Sequence, residues 1–181
     1  MRVLAISGSL RRESYNTVLL RAARDLAPAG VDVELYDGLG AVPAFNEDLE
    51  SDVPAEVEDL RRRIGAADAV LIATPEYNGS APGALKNALD WASRPKGMTP
   101  IVGKPVAVIG ASTGQFGARW AQEQIKRALT LSGAMVVDAE LALGKCADRF
   151  ATGELGDEDR AALIEVLGLL LAVPAEQALA A

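Results

Sequence analysis

Side chains that can donate hydrogen bonds crowd one short segment near the start of the chain, residues 7–17, with the sequence SGSLRRESYNT. This segment contains the hydroxyls of Ser9, Ser14 and Thr17, the amide of Asn16 and the guanidinium of Arg11. All of these groups can donate to anionic oxygen, and an arginine can contact a phosphate through two parallel hydrogen bonds. Their types and spacing therefore predict a phosphate-binding loop.

The elements on either side of this loop strengthen the prediction. An apolar run at 3–6 precedes the loop, and a helical pattern follows it at 18–26. The first N–H groups of a helix lack intrahelical partners and carry a partial positive charge, so a helix start readily binds an anion. The alternative interpretation is a well-capped loop that binds only water.

Two common nucleotide-binding motifs do not match this loop. The triphosphate-binding loop needs a second glycine and a lysine, and the segment has neither at the required positions. The dinucleotide fingerprint needs a glycine at position 10, where this chain has leucine. It also needs an acidic residue at the end of the second strand, and we predict that this strand ends at Tyr36. A single phosphate monoester is the better fit, as in a mononucleotide such as FMN.

The composition argues against several other classes of function. The chain has 181 residues and a formal net charge of −7, which disfavours nucleic acids and anionic membranes as partners. We expect no membrane span and no secretory signal, and hence a cytoplasmic protein. A chain without histidine has no His-based metal site, catalytic triad or general base, so redox chemistry requires a bound cofactor. The one cysteine, Cys146, excludes an internal disulfide, and we interpret it as core packing.

The apolar runs predict the fold. Strand and helix patterns alternate strictly along the chain, which is typical of an α/β fold with a parallel sheet. Five of each match a flavodoxin-like three-layer sandwich, with a five-stranded parallel sheet in the order 2-1-3-4-5 and helices on both faces. We expect a single domain over 1–181. The predicted strands are 2–7, 31–36, 69–74, 105–111 and 134–137, and the predicted helices are 15–27, 54–65, 81–93, 118–132 and 157–172.

In this fold a ligand binds where the loops after strands 1, 3 and 4 converge. The loop after strand 3 contains Pro75, Glu76 and Tyr77, followed by the turn pair Asn78-Gly79. A stiff loop of this kind presents backbone polar groups that can meet the edge of a flat heterocycle. Tyr77 is suited to lie beside the ring, with Glu76 or Asn78 at its polar edge. An ordinary strand-to-helix turn is the alternative.

The loop after strand 4 is also rich in polar and small residues. It contains the donors Ser112 and Thr113, then Gly114, and Arg119 stands at the start of the next helix. Glycines permit close approach of a ligand to the backbone. By itself this pattern fits a plain turn equally well, but together the three loops predict one ligand pocket.

These segments resemble the NADPH-dependent FMN reductase family, in particular its quinone and chromate reductases. The family-like motifs are Gly-Ser-Leu-Arg-x-x-Ser-x-Asn at 8–16, Pro-Glu-Tyr-Asn-Gly-Ser at 75–80 with its continuation to 91, and Ser-x-Gly-x-x-Gly at 112–117. One departure is Ala118, where the family commonly has a glycine. Its methyl group is expected to narrow access to the ring face without abolishing FMN binding.

The resemblance implies roles for individual residues. The first loop would surround the FMN phosphate, and the other two would line the isoalloxazine ring. No catalytic side chain and no metal are expected, because hydride transfer takes place at flavin N5. The implied cofactor-binding residues are Ser9, Arg11, Ser14, Tyr15, Asn16, Thr17, Pro75, Glu76, Tyr77, Asn78, Gly79, Ser112, Thr113, Gly114 and Arg119.

The implied activity is that of an FMN-dependent oxidoreductase. Hydride would pass from NADPH or NADH through FMN to quinones, flavins or similar small acceptors, with ping-pong kinetics. Of the aromatic residues, Tyr77 and Phe116 are those expected near the ring, which would leave an open face for a second planar substrate. A non-enzymatic FMN electron carrier of the flavodoxin type is the alternative. The family also implies a homodimer or homotetramer, for which Trp91 is the best interface candidate.

Overall fold

A parallel β-sheet forms the centre of the computed structural model, which describes residues 1–97, 99–150 and 154–173. The strands run in the order β2-β1-β3-β4-β5, and a short β6 pairs with β4. The predicted flavodoxin-like order is thus confirmed. The strands are β1 (Arg2–Ser7), β2 (Asp32–Tyr36), β3 (Ala69–Thr74), β4 (Pro105–Ala111), β5 (Met135–Val136) and β6 (Ala142–Leu143).

Helices cover both faces of the sheet, as predicted. Because successive side chains of a strand point to opposite faces, each strand contributes to two cores. Val3 packs with Leu19 of α1 and Leu163 of α6, whereas Leu4 packs with residues of α2, α3 and α4. The helices are α1 (Tyr15–Leu26), α2 (Ala55–Ala66), α3 (Gly83–Ala92), α4 (Arg119–Leu131), α5 (Cys146–Arg149) and α6 (Asp157–Leu171).

The strand register brings three loops to one edge of the sheet. Ser7 pairs with Ala73, and Thr74 pairs with Gly110, so β1, β3 and β4 end side by side. The strands β3 and β4 are buried along their whole length, because helices cover them on both faces. This rigid, buried centre positions the loops that follow the three strands.

The last part of the sheet differs from the single strand predicted at 134–137. β5 spans only two residues beside the start of β4, and β6 then pairs with its end, Gly110 with Ala142 and Ala111 with Leu143. The loop after β4 crosses this second segment closely, since a Cβ added to Gly117 would lie 2.2 Å from the carbonyl carbon of Ala142. A two-residue strand has no periodicity that a sequence could reveal.

The prediction that Trp91 forms an oligomer interface is wrong. Trp91 is fully buried within the chain, and its indole N–H donates to the carbonyl of Pro43 at 2.9 Å. Phe45 packs against it edge to face, with ring centroids 4.9 Å apart. An apolar helix face at a subunit contact and one in the core have the same sequence pattern.

In the described ranges no helix is long and apolar enough to cross a bilayer.

Candidate functional site

The loop after β1 is held by its own hydroxyl groups. Ser14 is the N-cap of α1, and its buried Oγ accepts a hydrogen bond from the backbone N–H of Thr17 at 3.3 Å. The Thr17 hydroxyl donates to Ser7 Oγ at 3.0 Å, which ties α1 to the end of β1. A serine in this position fixes the helix start, so the first N–H groups of α1 are directed at the loop.

Asn16 connects this loop to the end of β4. Its side-chain amide donates to the carbonyl of Ala111 at 2.9 Å, and its Oδ1 accepts from the N–H of Ala111 at the same distance. Asn16 is only 2% exposed. Its amide therefore satisfies the backbone at the end of β4, a structural role that the resemblance to the family did not imply.

The loop after β3 is a two-residue hairpin. The backbone groups of Tyr77 and Ser80 exchange two hydrogen bonds of 3.0 Å, and both central residues have positive φ, 53° for Asn78 and 71° for Gly79. This geometry is a type I′ turn, which strongly favours the Asn-Gly pair. The Gln124 side chain of α4 holds the turn, accepting from Ser80 Oγ at 2.7 Å and donating to the carbonyl of Gly79 at 3.3 Å.

Glu76 joins the same loop to the start of α4. Its carboxylate accepts a hydrogen bond from the N–H of Ala121 at 3.1 Å, in the first turn of the helix. A negative charge at this end of a helix is favoured by the helix dipole. Glu76 therefore caps α4 as well as lining the cleft described below.

The loop after β4 turns sharply before α4 begins. Ser112 Oγ accepts from the N–H of Gly114 at 3.2 Å, and Ala118 has the left-handed conformation, with φ of 63°. Ala118 is buried, so its methyl group points into the protein interior and not into the opening between the loops. Arg119 extends away to pair with Glu140 at 2.6 Å.

The three loops enclose a cleft of about 330 Å³. It is bordered by the first loop at one end, by the β3 loop along one side and by the β4 loop along the other. Ten of the predicted residues line it, together with Ala111: Ser9, Arg11, Ser14, Tyr15, Asn16, Pro75, Glu76, Tyr77, Ser112 and Thr113.

The remaining predicted residues lie outside the lining of this cleft. Thr17 faces a neighbouring cavity, and Asn78 and Gly79 form the exposed tip of the hairpin. Gly114 follows Thr113 at the surface, and Arg119 is engaged by Glu140. Phe116, which was expected near the ring, packs instead against Trp120, with ring centroids 5.0 Å apart and the rings tilted by 53°.

Two charged side chains line the cleft, Arg11 and Glu76. The Arg11 guanidinium lies 5.2 Å from the centroid of the Tyr15 ring, and no ion pair joins it to a carboxylate of the described residues. Nearby Cys146 is fully buried, and burial raises the pKa of its thiol, although the charge of Arg11 opposes that rise. The Arg11 guanidinium is thus free of an ion pair, and the nearby Cys146 thiol is neutral at pH 7.

Comparison with known proteins agrees with this geometry. The family model for NADPH-dependent FMN reductases matches residues 1–148. The chain belongs to this family. An NAD(P)H-dependent FMN reductase of Pseudomonas aeruginosa is 50% identical to this reductase over 130 residues, which cover 71% of this chain and 69% of that protein. A quinone reductase of Pseudomonas putida is 40% identical over 161 residues, which cover 87% and 86% respectively.

A solved structure extends the comparison to three dimensions. FerB, a flavoenzyme NAD(P)H:(acceptor) oxidoreductase from Paracoccus denitrificans, superposes on the reductase with a TM-score of 0.83 at 37% identity. The match covers 94% of this chain and 97% of that one. The loops that form the cleft therefore belong to a fold that the two proteins share over nearly their whole length.

The residues of the cleft fit FMN chemically. An anionic phosphate is matched by the unpaired Arg11, the Ser9 hydroxyl and the start of α1 behind the buried Ser14. A flat ring is matched by the space between the β3 and β4 loops, where Tyr77 provides one aromatic face. Within the described residues, no group of three or more Cys, Asp or Glu side chains is arranged to hold a metal ion.

Three residues that shape the reductase's site were missed in the sequence analysis. Ala111 lines the cleft, Gln124 holds the hairpin, and the buried Gln122 donates to the carbonyls of Gly117 and Leu141 at 3.0 and 3.3 Å. A glutamine on an amphipathic helix looks like an ordinary polar residue. Only the packing of α4 against the two loops reveals these roles.

Proposed function

We propose that this reductase is an FMN-dependent NAD(P)H oxidoreductase that reduces quinones, free flavins or similar small acceptors. The observation that carries the proposal is the cleft itself, which brings an arginine without an ion pair and the start of a helix together with the loops after β3 and β4. When bound there, FMN would supply the hydride chemistry, accepting hydride from a nicotinamide and passing it on to the acceptor.

The side chains of the cleft would bind and orient the cofactor. Arg11 and the hydroxyls of Ser9 and Ser14 would bind the phosphate, and the hairpin would border the ring on one side. Ser112 and Thr113 would border it on the other side. Asn16 would act indirectly, because its hydrogen bonds to Ala111 hold the first and third of these loops at a fixed separation.

The part of the cleft where the flavin ring would lie is open, which supports a reductase over an electron carrier. Only Tyr77 among the residues of the β3 and β4 loops brings an aromatic ring to the cleft, and it is 53% exposed. A weakly covered ring leaves space for a second flat molecule. Donor and acceptor would use this face in turn, which predicts ping-pong kinetics. Chromate is a further acceptor that we propose for the same face.

The absorbance spectrum of the purified protein tests this proposal. A flavin band that bleaches on anaerobic addition of NADPH or NADH, and returns on addition of a quinone, is the expected result. A flavin band that stays oxidised with both donors would indicate a carrier of the flavodoxin type. Parallel lines in double-reciprocal plots of rate against donor at several quinone concentrations would support the ping-pong order.

We also propose that the protein is a homodimer or homotetramer, with a contact next to the cleft. Tyr77, which lines the cleft, is 53% exposed, and Phe116 and Trp120, which are 51% and 47% exposed, have ring centroids 5.0 Å apart. Exposed aromatic residues grouped in this way are typical of contact surfaces. Light scattering should give a multiple of 18.9 kDa for the wild type.

A pair of variants tests this surface. Trp120→Ser should shift the protein toward the monomer, whereas Leu131→Ser, at a position 79% exposed at the far end of α4, should not. Unchanged mass for Trp120→Ser would contradict the proposed contact.

We propose that the protein is located in the cytoplasm, because its single cysteine is consistent with a reducing compartment.

A further inference from the structure

A second cavity, of about 470 Å³, lies beside the cleft at the carboxyl ends of β1 and β2. It shares Ser9 and Arg11 with the cleft but extends in the other direction, toward Asp37 and the 3₁₀ turn Leu39–Ala41. The proposed FMN-binding role uses Ser9 and Arg11 but none of the walls toward Asp37 and the 3₁₀ turn.

The walls of the cavity are largely apolar. Leu20 of α1, Leu35 of β2 and Leu39 of the 3₁₀ turn line it. Leu10, which is 60% exposed, reaches toward the turn, since a Cβ added to Gly40 would lie 3.5 Å from its Cδ2. An exposed leucine that helps to enclose a leucine-lined cavity is suited to contact a flat, weakly polar ring.

Three arginines surround the opening. Arg11, Arg12 and Arg21 all line the cavity, and in the described part of the chain none of them forms an ion pair with a carboxylate. Among the described residues, Arg2, Arg61, Arg127 and Arg160 likewise form no ion pair, but they do not line this cavity. By contrast, six arginines elsewhere are paired with carboxylates, namely Arg24, Arg62, Arg63, Arg94, Arg119 and Arg149. Unpaired guanidinium groups around a cavity are suited to bind a phosphate.

An acidic side chain completes the set. Asp37 lines the cavity and directly follows Tyr36, the last residue of β2. It therefore lies next to the position at which dinucleotide-binding folds place an acidic residue. In those folds, a carboxylate at the end of the second strand accepts hydrogen bonds from ribose hydroxyls. The cavity therefore combines an apolar wall, a ribose-type acceptor and phosphate-type donors.

We propose that this cavity binds a phosphorylated nucleoside. The base would lie against the leucines, Asp37 would accept from the ribose, and Arg12 and Arg21 would bind the phosphate. The ligand has two possible sources, a free nucleotide or the adenosine end of the dinucleotide donor. The second source rests on the proposed function, whereas the cavity itself does not.

Calorimetric titration with 5′-AMP, which has one phosphate and both ribose hydroxyls free, tests the proposal. The protein is first saturated with FMN, so that the probe cannot enter the cleft. We expect the double variant Arg12→Gln/Arg21→Gln to bind the probe about tenfold more weakly for each arginine removed. Arg127→Gln, which removes an exposed, unpaired arginine on α4, is the matched control and should bind like the wild type.

The results separate the two proposals. If the protein takes no FMN, the proposed function fails, but the same arginine-dependent binding is still expected in the flavin-free protein. Competition between 5′-AMP and NADPH in steady-state rates would assign the cavity to the donor, and binding unaffected by NADPH would assign it to a free nucleotide. No binding by the wild type, or equal binding by the double variant, would overturn the proposal. Inorganic phosphate that binds as tightly as the nucleotide would overturn the assignment of a nucleoside.

Discussion

At the scale of single residues, Asn16 does the most to set the spacing of the loops. Its two hydrogen bonds satisfy both the N–H and the C=O of Ala111, which is 2% exposed. A buried backbone group that loses its partner costs about 1–3 kcal/mol, so one small side chain secures two such groups. The asparagine in the family-like motif is thus explained by strand geometry without any ligand.

Asn16→Ala should lower the free energy of unfolding by about 2–4 kcal/mol, because both groups of Ala111 are left unsatisfied. Urea unfolding followed by circular dichroism measures this change. Asn46→Ala removes an exposed cap of a short 3₁₀ turn and should cost at most about 1 kcal/mol. Equal losses for the two variants would contradict the structural role of Asn16.

Cys146 should be unreactive in the folded protein. It is fully buried, and burial raises the pKa of its thiol, so the nucleophilic thiolate is scarce even near pH 9. We expect a disulfide reagent to modify the native protein about a hundredfold or more slowly than the urea-unfolded chain. As the pH rises above 9, ionisation of this thiol favours the unfolded state. Rapid labelling of the native protein would show that the site opens.

At the scale of elements, the site depends on how two loops are joined to α4. Glu76 caps its first turn, and Gln124 binds the hairpin of the β3 loop. Gln124 forms three hydrogen bonds to that hairpin, to Ser80, Ala81 and Gly79, yet it lies at the surface. These contacts act on the position of the loop more than on overall stability.

Gln124→Ala should therefore weaken FMN binding several-fold while changing the free energy of unfolding by less than about 1 kcal/mol. Quenching of flavin fluorescence gives the dissociation constant, and thermal unfolding gives the stability. Glu123→Ala, at the exposed neighbouring position, is the control and should leave both values unchanged. Wild-type affinity in Gln124→Ala would show that the hairpin needs no such support.

Ala118 lies at the junction between the β4 loop and α4. A left-handed alanine costs about 1–2 kcal/mol relative to glycine, whereas its buried methyl group contributes about 0.8 kcal/mol. Ala118→Gly should then raise the free energy of unfolding by about 0.2–1.2 kcal/mol. Ala118→Val should destabilise the protein by about 2 kcal/mol or more, because a β-branched residue is poorly tolerated at positive φ. Thermal denaturation compares the three proteins, and equal melting temperatures would contradict this conformation.

At the scale of the whole molecule, stability should depend on the phosphate of the flavin. A ligand present at a hundred times its dissociation constant stabilises the native state by about 2.7 kcal/mol. For a domain of this size, that corresponds to a rise in melting temperature of about 5–10 °C. Riboflavin has the same ring without the phosphate and should raise the melting temperature much less at the same concentration.

The variant Arg11→Gln should reduce the shift caused by FMN and leave the shift caused by riboflavin unchanged. Differential scanning fluorimetry at fixed flavin concentration measures both. Arg127→Gln again provides the control for loss of one positive charge. Equal shifts with FMN and riboflavin in the wild type would contradict a phosphate site at the first loop.

The sequence by itself determined the layers, the strand order and the three loops. Buried parallel strands are short apolar runs and amphipathic helices have a 3.6-residue apolar period, so both leave local patterns in the sequence. The turn pair Asn78-Gly79 and the cap Ser14 are likewise local, because neighbouring residues alone set their backbone angles.

Only the tertiary structure decided which side chains face the cleft. Arg119 pairs with Glu140, Phe116 packs against Trp120, and Trp91 is buried in the core. Each of the three nevertheless stands in or beside a family-like motif. The division of the last strand into β5 and β6 was equally hidden. These outcomes depend on contacts between residues far apart in the chain, which no local pattern encodes. The segment proposed to bind phosphate is local and could be found in the sequence, whereas the arginine-rimmed cavity beside it required the fold.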